Sequence, residues 1–453
     1  MQRMRMLAGV MTLASASVAD GAVRFVKFDA GGSNNGTSWA NAYTSLQSAL
    51  AVAVAGDDIW VAKGTYKPAT PATPNPRTVA FAMKSGVRIL GGFFGTETAA
   101  SQRNPRFNPT ILSGDINGDD TPNFGNRGEN SVHVILATNV DSTGVLDGFI
   151  IRGGNANVNP GAVQGGGVRI NSGAPVISGC VIRDNIAMST GGGCMISSSS
   201  AKLTQIAGFG NRASGPSACD IQGGQASLIH CTFAGNEATS STAAAIRFLN
   251  TGGGTVRGCI IWANANAGGQ GQGAQFSSSN AGALSIIDCV VQGGTVGLGT
   301  GCFSDDPLLI SVIGPDGLPG SGDEDVRVLP GSPCIDRLTT VTLPTDTIDL
   351  DGDAFTAEPV PFDIRWQERN RNDPGTPNAP SATVDIGAYE FQGTSCIGDF
   401  DGNGVVNTSD LTRFLAVFGD SGEPLRTGDF NGDGTVNTTD LVMLLSQFGT
   451  SCA

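Results

Sequence analysis

Short apolar runs separated by glycine and asparagine, with no helical period, fill the middle of the chain. Six of them align: Gly148–Arg152, Gly179–Arg183, Gln205–Phe209, His230–Phe233, Gly258–Trp262 and Asp288–Val291. Their second residues are Phe149, Cys180, Ile206, Cys231, Cys259 and Cys289, at intervals of 31, 26, 25, 28 and 30 residues. Five positions further on stand Gly154, Asn185, Asn211, Asn236, Asn264 and Gly294. A repeat of this length is one unit that buries its core only by stacking on its neighbours. The pattern predicts a right-handed parallel β-helix, each strand pairing with its equivalent in the next coil about 4.8 Å away. Like positions then lie over like, and the cysteines form an interior ladder of small apolar side chains. Asparagine is expected at the turns, because it tolerates left-handed backbone and its amide reaches the next coil. Gly165-Gly166-Gly167-Val168 and Gly191-Gly192-Gly193-Cys194 recur at equivalent places, where the backbone must turn tightly.

Helical spacing is found only towards the ends. Ser45–Val54 reads as a short helix with Leu46 and Leu50 on one face, placed to plug the open end of a solenoid. Near the C-terminus, Leu411, Phe414, Leu415 and Phe418 fall at i, i+3, i+4 and i+7, as do Leu441, Leu444, Leu445 and Phe448. These predict two helices with single apolar faces that pack on each other, closed by Gly419 and Gly449.

Composition agrees with strands and turns. The chain has 453 residues, 40% hydrophobic and only 15% charged, with 66 Gly and 22 Pro. Glycine is about twice the usual share and charge is well below it. The net charge of -14, with no basic stripe, makes the chain a poor candidate for binding nucleic acid or anionic membrane. Ten cysteines include no close CxxC pair, so a zinc site is not indicated. Arg3 and Arg5 precede an apolar, small-residue run from Met6 to Ala19, the layout of a signal peptide over 1–22, cleaved after Ala19 or Ala22. No later run holds about 18 consecutive apolar residues, so no membrane span is expected. The protein is expected to be secreted, extracellular or at the cell surface, and monomeric.

The sharpest chemistry lies in a near-duplicate at an offset of 30 residues. Gly398–Leu411 and Gly428–Leu441 place oxygen-bearing side chains at loop positions 1, 3, 5, 9 and 12, with Gly at 6. That spacing converges alternate side chains on one hard cation. Two Ca2+ sites are expected: Asp399, Asp401, Asn403, Asn407 and Asp410, with the carbonyl of Val405, and Asp429, Asn431, Asp433, Asn437 and Asp440, with the carbonyl of Thr435. Residues 396–453 hold eight acidic and two basic side chains, so folding is expected to depend on the ion.

This duplicated motif resembles the type I dockerin family, in which position 12 is Asp. The resemblance covers 396–453 and implies a small helical module with two EF-hand-like loops that binds a cohesin-like protein module. Its contact positions fall on Thr408, Ser409, Thr438 and Thr439. The basic pair frequent at positions 17 and 18 is absent, since Leu415-Ala416 and Leu445-Ser446 stand there. Cys396 and Cys452 bracket the module; either a disulfide joins them or both are free thiols.

The coils resemble the pectin-lyase-like β-helix superfamily, and bacterial surface β-helix repeats in particular, through their Gly-Gly-x-x and Phe-x-x-Asn units, as in Phe233-Ala234-Gly235-Asn236. Residues 23–392 are read as the β-helix: a cap over 23–67, coils to about 301, and an irregular ending over 302–392 closed by Val384–Phe391. Enzymes on this fold use carboxylate-held calcium with a basic residue, or clustered aspartates. Asp305-Asp306 reads instead as a turn, and the aligned Arg152 and Arg183 as a solvated outer stripe. His133 and His230 have no nucleophile beside them. Asp115, Asn117, Asp119 and Asp120, then Asp316, Asp323, Glu324 and Asp325, then Asp349, Asp351 and Asp353 read as solvated turns or weak calcium loops. Cys194 and Cys219 are expected as neighbours, as are Cys302 and Cys334. Two functions remain open. One is a polysaccharide- or surface-associated β-helix tethered through its tail; the other is a polysaccharide lyase or glycoside hydrolase delivered by it, with unassigned catalytic residues.

Overall fold

The computed structural model describes residues 21–392 with breaks at 159–162, 242–243, 295–296, 319, 374–375 and 377–380. Beyond these it describes 398–399, 405–419, 428, 430 and 435–450. Most of the signal stretch, Cys396 and Cys452 therefore lie outside the described residues.

The chain winds as a parallel β-helix, right-handed as parallel crossovers are. One coil shows the plan: Val168–Gly173, Val176–Ser178, Val181–Arg183 and Ile186–Ala187 each pair with their equivalents above and below. They stack into sheets of seven, nine, eight and four strands, here sheets I to IV in that order. Every pairing within these sheets is parallel.

The register carries the expected ladder. Val181 pairs with Ile150 and Ala207, Ala207 with Thr232, Thr232 with Ile260, and Ile260 with Val290. The residues just before these, Phe149, Cys180, Ile206, Cys231, Cys259 and Cys289, are all 2% exposed or less. A Val290–Phe303 bridge places Cys302 below Cys289, so Cys302 continues the ladder. It does not neighbour Cys334, which sits in a separate apolar cluster with Ile335 and Leu338. Cys194 and Cys219 are register partners in sheet I, as expected. All eight described cysteines are free thiols.

The asparagine ladder is present, with one correction to its cause. Asn185, Asn211, Asn236 and Asn264 are buried, and each amide donates to the next: Asn211 Nδ2 to Asn236 Oδ1 at 2.9 Å, Asn236 Nδ2 to Asn264 Oδ1 at 2.9 Å. The left-handed residue is the one before: Asp184, Gly210, Gly235 and Ala263 have φ between 53° and 63°. Gly294 does not complete the column. Gln275, at the end of a short helix α2 (Gln272–Gln275; α1 is Leu46–Val52), accepts from Asn264 Nδ2 at 2.8 Å instead. The triple glycines mark close approach: a Cβ on Gly192 would stand 2.3 Å from the Arg212 carbonyl oxygen.

The N-terminal end is plugged by α1. Ser45 caps it, accepting from the Gln47 amide, and Leu46, Ala49 and Leu50 turn into the core.

The ending is irregular but it is not terminal in space. Residues 302–392 contain an antiparallel pair, Leu309–Ser311 with Asp325–Val328, and otherwise mostly turns. They run back along the outside of sheets II and III. Ile348, Leu350 and Val360 cover Trp60, Leu90, Phe93 and Val145; Val326, Ile364 and Ala388 cover Ala207, Phe209 and Ala234; Val328, Ile335, Val384 and Ile386 cover Ile260 and Val290. This wrap gives the two sheets a second core.

Candidate functional site

The repeated acidic loops lead into helices α3 (Thr408–Leu415) and α4 (Thr438–Ser446). Loop position 9 is the N-cap of each. Asn407 Oδ1 accepts from Ser409 N at 2.7 Å, and Asn437 Oδ1 from Thr439 N at 2.7 Å. Position 12 closes a capping box: Asn407 N donates to Asp410 Oδ2 at 2.8 Å, and Asn437 N to Asp440 Oδ2 at 2.9 Å. Phe430 N, at the head of the second loop, donates to Asp440 Oδ1 at 2.7 Å. Asp410 and Asp440 are fully buried. Asp401, Asn403, Asp429, Asn431 and Asp433 lie outside the described residues.

The two halves support each other. Gly419, just past α3, donates to the Val436 carbonyl, and Gly449, past α4, donates to the Val406 carbonyl. Both glycines are left-handed at φ 87° and 84°, the helix-closing role their positions predict. Val406, Phe414, Val436 and Leu444 form the core, with Phe430 stacked on Phe414 at 5.9 Å. Only part of each expected apolar face goes inward. Leu415, Phe418, Leu445 and Phe448 are 55, 42, 48 and 41% exposed, because two helices this short share one narrow seam. Thr408, Ser409, Thr438 and Thr439 are exposed as well.

Residues 397–448 match the family model described as Dockerin type I domain. The C-terminal module is a type I dockerin domain. Such domains bind calcium and dock on cohesin modules, and the proteins that carry them are typically extracellular. A comparison with curated proteins finds no match. Among solved structures, a rhamnogalacturonan lyase is 14% identical over 60% of this chain and 68% of its own, with a TM-score of 0.37. The crystal structure of pectate lyase Pel9A is 12% identical over 83% of this chain and 97% of its own, with a TM-score of 0.36. Neither likeness carries an argument about what this chain does. No helix among the described residues is long and apolar enough to cross a membrane.

The candidates on the β-helix resolve mostly into structure. Asp306 Oδ1 accepts from Leu308 N in an exposed turn. Asp115 accepts from the amides of Gly118, Asp119 and Asp120, and Asp349 and Asp353 cap an exposed turn. His133 holds the Gly165 carbonyl through Nδ1 at 2.7 Å. The expected arginine stripe is only partly solvated: Arg152 is half-buried and Arg183 is covered. Arg183 is 3% exposed and donates to the Gly320 carbonyl, with Gly322 packed on its guanidinium. Glu324 is likewise buried, accepting from the Gly320 and Gly322 amides. The wrap that covers them was not legible as a lid, since its residues have no period.

His230 is buried for the same reason. Arg369 Nη2 donates to its Nδ1 at 2.7 Å, so the ring proton sits on Nε2 and is directed at Thr342 Oγ1, 3.0 Å away. Burial, then the Arg369 charge, holds its pKa well below the usual imidazole value. Cys180 is a poor nucleophile, because burial pushes its thiol up to about 12. Sequence reading missed the carboxylates that surround Arg369. Their one signal was Asp385 and Glu390 set among the apolar residues of Val384–Phe391.

Proposed function

We propose that this chain is a secreted β-helix protein, polysaccharide- or surface-associated, held on a cohesin-like module through its calcium-dependent dockerin domain. The observation that carries the reading is the pair of equivalent acidic loops, each ending in a buried position-12 aspartate, within the matched 397–448 segment. The ligands in this reading are those the loop spacing picks out, Asp399 to Asp410 and Asp429 to Asp440, one Ca2+ to each loop. The contact surface is duplicated too. Thr408 and Leu415 lie seven residues apart, two turns along one face of α3, and Thr438 and Leu445 repeat this on α4. Exposed leucines where a basic pair is frequent point to a cohesin with an apolar patch.

Burial of Arg183 beneath the wrap weighs against a sugar-acid subsite on sheet III, so tethering and not turnover is the role assigned to the β-helix. No unsaturated product or new reducing end is expected from uronic-acid polysaccharides.

The test is calorimetric titration of type I cohesin modules into the full chain. Binding is expected in calcium and not in EDTA. Thr408→Asp with Leu415→Asp, or Thr438→Asp with Leu445→Asp, should each leave one competent face. All four changes together should lower affinity at least about 100-fold. Calcium-independent binding, or binding unmoved by all four changes, would overturn the reading.

A further inference from the structure

Within the wrap lies a cluster of three buried acids whose carboxylates accept backbone amides, Arg371 N on Glu390 Oε1 among them, but leave one oxygen unpartnered. Asp336, Asp385 and Glu390 are 1, 1 and 4% exposed. One carboxylate oxygen from each lies within 4.8 Å of those from the other two. Arg369, fully buried, is the cation beside them, its Nη1 3.4 Å from Glu390 Oε2. Its Nη2 is spent on His230 Nδ1 and on the carbonyls of Asp385 and Gly387. His230 is neutral. Three carboxylates therefore face one guanidinium, and a buried ionised carboxylate is costly unless it is paired or holds a metal.

The backbone fixes this cradle in place. Asp336 N donates to Asp385 Oδ1 at 2.8 Å and Phe391 N to Asp385 Oδ2 at 2.6 Å. Asp385 N donates to Glu390 Oε2 at 3.0 Å, and Asp373 N to Asp336 Oδ2 at 2.8 Å. Nearby Asp363 is occupied separately, accepting from the amides of Arg365, Gln367 and Glu390. Asp336 Oδ1 stands apart: it is buried and has no hydrogen-bond partner. An orphan carboxylate oxygen beside two further carboxylates is the atom a cation would satisfy.

We propose that Asp336, Asp385 and Glu390 hold a calcium ion, separate from the dockerin loops, that staples two stretches of the wrap to each other over the last coils of the β-helix. The donor set is all oxygen, which selects a hard cation, and both imidazole nitrogens of His230 are already engaged. Calcium accepts irregular geometry and gives up its waters, whereas magnesium keeps several, so a site this buried fits calcium. The ion ties Asp336 to the closing Val384–Phe391 segment. Both stretches pack on Ile260 and Val290, so the ion fastens the wrap where it covers the last coils.

Native mass spectrometry of the full chain, with and without Asp336→Asn, tests this directly. The variant is expected to carry one Ca2+ fewer than the wild type, a difference in which the dockerin ions cancel. Equal counts overturn the proposal. Melting gives a second reading, because all four tryptophans, Trp39, Trp60, Trp262 and Trp366, lie outside the dockerin domain. Calcium should raise the wild-type tryptophan-fluorescence midpoint by roughly 3 °C or more. It should raise that of Asp336→Asn far less, and in EDTA the variant should melt above the wild type, having lost one repelling charge. A wild-type midpoint indifferent to calcium overturns the site even if the variant does not fold.

Discussion

At the scale of single residues, the structure turns on side chains whose neighbours come from far along the chain. His230 has a left-handed backbone, φ 49°, one residue before the Cys231 slot, a place its repeat mates fill with Gly148, Gly179 and Gly258 but also with the left-handed Gln205 and Asp288. A histidine is tolerated there because its ring reaches out to Arg369 and Thr342. Its folded pKa lies below the unfolded value of about 6.5. The unfolded chain therefore binds the proton more readily. The stability His230 contributes is complete above pH 6.5 and falls below it, by about 1.4 kcal/mol per pH unit. With only two histidines, 15N imidazole spectra of the chain are simple to assign. His230 should be neutral and protonated on Nε2 at pH 6.5, where an unperturbed imidazole is half protonated. A titration midpoint at or above 6.5 would mean that the Arg369 contact is absent in solution.

At the scale of elements, the amide column shows what repetition makes readable. Stacked strands put like over like, so a period in sequence becomes a line in space. Cys231, Cys259 and Cys289, and Asn185, Asn211 and Asn236, were legible for that reason alone. Where the period breaks, the reading failed. After Ala265, which still bridges to Glu237, the chain turns at Asn266–Gly269, and an amide from α2 fills the slot expected of Gly294. The dockerin helices failed differently: spacing shows which face is apolar, not what covers it, and Leu415 and Leu445 stayed outside. The column itself is testable. Asn211 accepts from Asn185 N at 3.2 Å and Asn185 Nδ2 at 3.1 Å, and donates to the carbonyls of Ile182 and Phe209 and to Asn236 Oδ1. Asn211→Ala leaves those buried groups unpaired. Denaturant unfolding should show a loss of about 2–4 kcal/mol. A loss under about 0.5 kcal/mol would show that the column fills space without carrying stability.

At the scale of the whole molecule, the problem is coverage. A solenoid has two sheet faces to hide and two ends to close. The faces did leave a trace in sequence: Ile59-Trp60-Val61-Ala62 is apolar at every position, as a strand buried on both sides must be. What the trace withheld was the identity of the cover, because the wrap is held by scattered contacts such as Trp366 over the Arg103 guanidinium at 4.6 Å. The N-terminal end is closed by α1, which packs on Val23–Val26, Asp58–Ala62 and Phe81–Ala82. Without it, the first coil would present apolar side chains and unpaired strand edges, a template for a second copy. Leu46 and Leu50, 1 and 3% exposed, are the helix's largest inward side chains. Leu46→Asp with Leu50→Asp should expel α1 by placing two unpaired charges in the core. Light scattering during gel filtration should then find the wild type at the mass of one chain and the variant in concentration-dependent assemblies. If the variant stays monomeric with an unchanged melting point, α1 is not the plug, and some other segment closes that end.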